Sequence, residues 1–558
     1  MPSIRPFNRR HFLCGLSTAA LTAPAAVRAV THTPRDPVFT HGVASGDPLA
    51  DRVVLWTRVA PARAREHPVQ WDVALDAGFR QIVRSGTAFA QPRADWTVKV
   101  DVDGLPVGQR LHYRFSARGR SVSGRTRTLP VGPTAQARFA VFSCSSFPAG
   151  FFHAYAEAAR VDELDAAIHL GDYIYEYGID GYASEDAAAL GRLSDPVHET
   201  VTLADYRRRY AQYRSDPDLQ ALHAAVPMIA VWDDHEITND VWREGAQNHQ
   251  PETQGPFAAR RAAAVRVYHE WMPTRVTDPL RPELIYRSFG WGDLVDLHML
   301  DTRVIGRDRQ LAYADYLGAG GFDAARFAAD LRNPARQLLG AEQTAWLARQ
   351  MAAGRARWTM LGQQVLMGRM NIPAPLVLGQ IGFGDYTALL VKAQTAPQTL
   401  TAPERAVLSQ PAIPYNLDAW DGYAAARETV LGMARLNDKN LVVLAGDTHN
   451  AWASDLHDLA GREVGVEFAT HSVSSPGLEE YFPAENPAAV AAGLPQIIGP
   501  LVWANTRDRG FMLVTATPDE CRAEWRVVSN VKSAVYSART GQVLRTLPGA
   551  GQRRVVGV

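Results

Sequence analysis

The chain has 558 residues, 46% of them apolar and 21% charged, which excludes disordered, collagenous and coiled-coil classes. Its 58 basic and 58 acidic side chains cancel, so no global basic field marks a nucleic-acid binder. Three cysteines, Cys14, Cys144 and Cys521, are too few for a disulfide framework, and no run of about 18 apolar residues follows the first thirty, which argues against a polytopic membrane protein.

Residues 1–30 hold Arg5, Arg9, Arg10 and Arg28 and no acid. The pair Arg9-Arg10 precedes His11-Phe12-Leu13 and a modest apolar stretch, the pattern of a twin-arginine export signal. Small residues at Ala23-Pro24-Ala25 or Val27-Arg28-Ala29 offer a cleavage site. Cys14 lies before the apolar stretch, which argues against a lipoprotein cysteine. The expected partner is the twin-arginine translocation machinery, the expected location periplasmic or secreted, with no transmembrane segment in the mature protein. Removing this segment takes four arginines and no acid, so the mature chain becomes net negative.

From residue 31 to 132 the texture is β. Val53-Val54-Leu55-Trp56-Thr57, Trp71-Asp72-Val73-Ala74-Leu75, Trp96 to Val102 and Leu111 to Phe115 are β-branched, aromatic or alternating runs, separated by turn residues. They predict a small N-terminal β-sandwich domain. Residues 133–530 then alternate short apolar strands with helical segments, which predicts an α/β domain with buried strands. The strands are expected at Arg138–Phe142, Ala166–Leu170, Met228–Trp232, Leu294–Leu300 and Leu441–Ala445. A Pro- and Gly-rich excursion runs from about Pro373 to Pro414 and suits a functional rim. Residues 531–558 read as a loose C-terminal tail.

Four polar clusters follow directly on buried strands. They are Ser143-Cys144-Ser145-Ser146, Gly171-Asp172-Tyr173-Ile174-Tyr175-Glu176, Asp233-Asp234-His235-Glu236 with Asn239-Asp240, and Gly446-Asp447-Thr448-His449-Asn450. An Asp after a strand is more often a helix cap. Caps do not call for Cys, Tyr and His, and carboxyl ends of strands are where α/β proteins build sites. Hard carboxylates mixed with a thiolate, an imidazole and a phenolate suit a trivalent iron beside a hard divalent ion. Two such ions about 3.5–4 Å apart clamp an in-line phosphoryl displacement, with Asp172 the natural bridge.

Gly171-Asp172, Asp234-His235-Glu236 and Gly446-Asp447-Thr448-His449 resemble the calcineurin-like metallophosphoesterase pattern. The spacing Gly171-Asp172-Tyr173-Ile174-Tyr175 is similar to the iron-binding purple acid phosphatase type. The fuller resemblance is to the alkaline phosphatase D (PhoD-like) family. It rests on His41-Gly42-Val43-Ala44-Ser45-Gly46-Asp47-Pro48, Leu55-Trp56-Thr57-Arg58, Ser143-Cys144-Ser145, the Asp172 and Asp234 clusters, Leu300-Asp301-Thr302-Arg303, Asp418-Ala419-Trp420-Asp421-Gly422-Tyr423 and Ser474-Ser475-Pro476-Gly477.

The resemblance implies a four-layer αββα metallophosphoesterase sandwich carrying the N-terminal β-sandwich. It implies Fe3+ held by Cys144, Tyr175 and His449, with Asp172 bridging to one or two Ca2+ ions. Asp234 and Asp447 face calcium, with Asp233 and Asn239 as further calcium-side ligands. His235 contacts the phosphate and assists the leaving oxygen. Arg303 grips phosphate through its planar fork or only pairs with Asp301. His298 and Cys521 read as core residues, and Trp420 and Tyr423 either line the pocket mouth or pack in the core. The expected reaction is hydrolysis of small phosphate esters at alkaline pH. Phospholipase D-like cleavage of phosphodiesters is the nearest rival, and a non-catalytic envelope-binding protein the distant one.

Overall fold

Strand alternation organises the molecule. In the strand Leu441–Ala445 every residue is buried, yet Val442 and Leu444 belong to one apolar cluster while Leu441, Val443 and Ala445 belong to another. Successive side chains point to opposite faces, so a strand with no polar residue must be covered on both sides. The computed structural model, which describes residues 38–60, 66–319, 321–481, 483 and 485–558, shows what covers them. The expected export signal lies outside the described residues.

Two large sheets pack face to face. The first has ten strands, in the order Val556–Gly557, Ala538–Thr546, Cys521–Val528, Arg509–Ala516, Ala137–Phe142, Ala166–His169, Met228–Ala230, Val43–Gly46, Val53–Arg58 and Thr97–Val102. The second has seven, in the order Arg287–Trp291, Val295–Met299, Trp358–Gly362, Leu441–Ala445, Glu463–Ala469, Ala451–His457 and Leu501–Asn505. Their shared core holds Phe139, Val141, Met512 and Val514 from the first, with Leu297, Met360, Leu444 and Phe468 from the second. The Phe139 and Trp291 rings meet edge-on across the interface at 4.7 Å. Helices Leu203–Arg214, Pro217–Ala225 and Phe257–Trp271 add Tyr210, Leu222 and Trp271 to this core. Helices Gly340–Ala353, Ala424–Leu436 and Pro487–Ile497 cover the other face of the second sheet with Leu347, Leu431 and Leu494. The result is the expected αββα layering.

The N-terminal strands pack around their own core of Leu55, Val73, Val98, Tyr113 and Phe115. Four of them form a separate sheet, in the order Ile82–Ala90, His67–Ala74, Arg110–Ala117 and Arg120–Arg127. The other three, Val43–Gly46, Val53–Arg58 and Thr97–Val102, extend the ten-stranded sheet instead. The junction is Gly46, which pairs in parallel with Met228. A Cβ at Gly46 would lie 2.4 Å from Pro273 O and 2.5 Å from Met228 O, so only glycine permits this join. Residues Val38–Val558 accordingly cluster as one compact unit.

The C-terminal residues are not a loose tail. Ala538–Thr546 pairs along its length with Cys521–Val528. Tyr536 stacks on His153 at 3.9 Å, and Phe151 N donates to Val531 O at 2.7 Å. The strand reads as polar in sequence because seven of its nine residues are half-buried or exposed near a sheet edge. Truncation after Asn530 would bare the edge of Cys521–Val528. We expect it to cost at least about 3 kcal/mol of stability, read as a lowered urea midpoint or as loss of soluble protein.

Candidate metal and phosphate site

Every expected site cluster sits at the carboxyl end of a strand of the two facing sheets. Cys144 follows Ala137–Phe142, Asp172 follows Ala166–His169, and Asp233 to Glu236 follow Met228–Ala230. Arg303 follows Val295–Met299, and Asp447 to His449 follow Leu441–Ala445. The sheets are tied at this end by a parallel bridge between Ser143 and Ser472.

The backbone turns sharply there. Cys144, Asp172, Asp240, Asp447 and His449 all adopt positive φ, at 60°, 54°, 53°, 64° and 62°. Such conformations cost a non-glycine residue energy and collect at functional sites. Gly171, at φ 109°, has no choice: a Cβ would lie 2.3 Å from that of Asp233. Glu236 supports these turns from below, accepting from Asp172 N (3.0 Å), Tyr173 N (2.7 Å) and Asp233 N (2.8 Å).

Two ligand groups share one carboxylate. Ligand atoms of Cys144, Asp172 and His449 lie within 4.8 Å of one another, as do those of Asp172, Asp234 and His235. Tyr175 joins the first group, its hydroxyl 3.1 Å from both Asp172 Oδ2 and His449 Nε2. His449 Nδ1 donates to Pro476 O at 2.7 Å, which fixes the tautomer and leaves Nε2 as the ligand atom. Burial lowers the His449 pKa to about 3, so the ring is neutral as a ligand must be. Burial, and then the Asp172 carboxylate, push the Cys144 thiol well above its ordinary value. Only a nearby cation would make it a thiolate.

The site fits metal ions. Asp172 Oδ1 and Asp233 Oδ2 are buried without a hydrogen-bond partner, and an unpaired buried carboxylate oxygen is costly. Burial, followed by neighbouring carboxylates, raises Asp172 well above the carboxylate range, with His235 pulling the other way. The donor set of thiol, phenol, imidazole and shared carboxylate is that of a hard or borderline ion pair.

His235 occupies a second position. Its Nδ1 lies 2.7 Å from Glu176 Oε2, and its ring stacks on Tyr175 at 4.2 Å. Glu176 is fully buried and is held in turn by Asn239 N (2.8 Å), Thr238 Oγ1 (3.2 Å) and Asn248 Nδ2 (3.2 Å). Burial alone would lower the His235 pKa. The carboxylates of Glu176, Asp234 and Asp172 overcome it and hold the ring well above its ordinary value. Glu176 stands in the quoted Asp172 cluster, but its partnership with His235 is a contact across 59 residues and has no local signal.

Arg303 departs from both expected readings. Its guanidinium, fully buried, donates to Asp233, to Asp418 Oδ2 (2.6 Å) and to Asp447 Oδ1 (2.9 Å), with Asp234 Oδ1 at 3.8 Å. Asp301 instead caps its own turn, accepting from Arg303 N and Val304 N at 2.8 and 2.9 Å. The fork is therefore spent on carboxylates rather than offered to phosphate: each of its three nitrogens donates to an acid of the site. Asp418, further held by Arg307, is a site residue that carried no role in the sequence. Asn239 donates its side-chain amide to Gln247 Oε1 at 3.1 Å, and its backbone N–H anchors Glu176. His298 is a core histidine, buried with Nδ1 2.7 Å from Ser288 Oγ. Cys521, Trp420 and Tyr423 are also buried core residues.

The chain is similar to known proteins along most of its length. Residues 139–525 match the PhoD-like phosphatase family model, and residues 23–130 match the model for the PhoD-like phosphatase N-terminal domain. The chain belongs to the PhoD-like phosphatase family. It is 36% identical over 553 residues to alkaline phosphatase D of Bacillus subtilis strain 168, covering 94% of this chain and 84% of that protein. A solved structure entitled "Structure of PhoD" superposes with a TM-score of 0.77 at 34% identity, covering 94% of each chain. These matches take in both the β-rich N-terminal segment and the strand ends that carry the clustered residues.

The Glu176–His235 pair makes a kinetic prediction. Glu176→Gln keeps the shape but removes the negative charge that raises the His235 pKa. Phosphatase activity should fall about 10- to 100-fold. The alkaline limb of kcat/KM should move to lower pH, since the imidazole loses its proton earlier. A pH profile of the variant against the parent checks both.

Proposed function

We propose that this phosphatase is an exported phosphomonoesterase built on an iron and calcium centre. Iron would be held by Cys144, Tyr175, His449 and Asp172, and calcium by Asp172 and Asp234 with Asp447 and Asp233 on the same side. The catalytic segment would be residues 133–530, and export would use the twin-arginine signal of residues 1–30. The observation that carries the metal reading is Asp172. It belongs to both ligand groups, and its Oδ1 is buried with no partner. Alkaline phosphatase D, the name of the Bacillus subtilis relative, supports the monoester reaction. The adjacent arginines at positions 9 and 10 support the export route. Among the described residues no helix is long and apolar enough to cross a membrane.

Bound ions would supply charge neutralisation for in-line displacement at phosphorus. The chain's own residues do the rest. Glu176 fixes the His235 ring through Nδ1, so Nε2 is the nitrogen free to serve the departing alcohol oxygen with a proton. Ser475 Oγ lies 3.0 Å from Cys144 O and 2.8 Å from the Tyr175 oxygen, within hydrogen-bonding distance of both, which ties the two ligand-bearing turns together. Arg303 fixes the Asp233, Asp418 and Asp447 carboxylates in one orientation.

Metal analysis of the purified mature enzyme should find iron together with calcium; zinc alone, or no metal, overturns the centre. Cys144→Ala and Asp172→Asn should each reduce phosphatase activity to background while far-ultraviolet circular dichroism stays that of the parent. Two active variants would show that the shared carboxylate is not the bridge. Parallel assays of a monoester, a diester and phosphatidylcholine should give the highest kcat/KM for the monoester.

A further inference from the structure

The segment from Tyr177 to Tyr182 forms a rim beside the site. Ile179 N donates to Val197 O (2.9 Å) and Gly181 N to Gly178 O (3.2 Å), so the rim is closed on itself and on the neighbouring loop. Its two glycines are required by close approach. A Cβ at Gly178 would lie 2.6 Å from Val197 O, and one at Gly181 would lie 2.4 Å from Tyr177 Cβ. This tight fold brings the Tyr177 and Tyr182 rings to 6.1 Å between centroids. Tyr177 is 5.5 Å from the His235 ring, and Tyr182 is 5.9 Å from the His449 ring.

The two tyrosines differ in commitment. The Tyr182 hydroxyl is tied to His449 Nδ1 (3.0 Å) and Pro476 O (3.1 Å). Tyr177 is half-buried, belongs to neither ligand group, and its hydroxyl has no hydrogen-bond partner among the described residues. An aromatic face thus stays partly in water next to the residue that serves the departing oxygen.

We infer that Tyr177, backed by Tyr182, is the wall of a leaving-group subsite and favours phosphate esters of planar aromatic alcohols over those of aliphatic alcohols. The inference rests on the role proposed above for His235. An alcohol leaving beside His235 lies within reach of the Tyr177 ring, and ring pairs attract at centroid separations of about 4.5–7 Å. An aliphatic alcohol has no face to offer and gains only ordinary contact.

The test uses the metal-loaded enzyme with phenyl phosphate and butyl phosphate. The ratio of their kcat/KM values is compared between variants, which cancels the intrinsic reactivity of the two esters. Tyr177→Leu should lower the phenyl-to-butyl ratio about fivefold, chiefly through KM for phenyl phosphate. Tyr177→Phe should keep the ratio within about twofold, since the ring remains. Tyr177→Gln serves as a second non-aromatic replacement should the leucine variant be insoluble. An unchanged ratio in the non-aromatic variants, or an equal loss in Tyr177→Phe, overturns the subsite. A parent enzyme that hydrolyses neither ester would instead overturn the phosphomonoesterase reading beneath it.

Discussion

Buried negative charge is the constraint on which the functional end of this molecule depends. Asp172, Asp233 and Asp234 are buried, and Asp418 and Asp447 are nearly so, within one cleft between two sheets. Water cannot solvate them, and like charges at this range disfavour one another. Burial, with Asp234 beside it, pushes Asp233 up to about 6 even against the Arg303 guanidinium. A fold gains nothing by assembling such a group for stability, since a paired apolar replacement would serve better. The arrangement makes sense where cations complete it. The unpartnered oxygens of Asp172 and Asp233 mark where the protein's own cations leave off.

The same constraint accounts for the strained turns. Cys144, Asp172, Asp447 and His449 adopt positive φ just beyond strand ends around the cleft, and all four are proposed ligands. Their strain is carried by the two sheets below. Glu236 ties the Asp172 and Asp233 turns together, and Ser475 ties the Cys144 turn to Tyr175. The site is therefore held from its supporting contacts as much as from its ligands, as metal sites generally are.

Much of this was legible in the chain, for a definite reason. A buried, largely apolar strand followed within three residues by Cys or Asp is a local pattern, and strands Ala137–Phe142, Ala166–His169, Met228–Ala230 and Leu441–Ala445 all show it, with Cys144, Asp172, Asp233 and Asp447. What was not legible depends on contacts between distant residues. Asp418 faces Arg303 across 115 residues, and Glu176 faces His235 across 59. The strand Ala538–Thr546 hides because a strand next to the sheet edge with a solvated face reads as polar chain. The sharing of the ten-stranded sheet by N-terminal strands turns on Gly46, where the missing side chain, rather than any side chain present, makes the join possible.

Arg303 shows how the constraint decides between two readings of one residue. A planar fork at a strand end beside a phosphate site invites the view that it grips substrate. The geometry assigns it another task. All three of its donor directions end on acids of the cleft, and the side chain has no exposure to solvent. A guanidinium in that position cannot swing to an incoming phosphate without stranding Asp233, Asp418 and Asp447 together. Breaking one buried partner from a charge cluster costs about 3–5 kcal/mol, which an exposed phosphate contact would not return. Arg303 is thus best understood as a fixed cation beneath the site. It limits how much positive charge the cleft still needs, and so helps set which ions complete it. On the reading proposed above, recognition of the substrate falls instead to His235 and the tyrosine rim beside it.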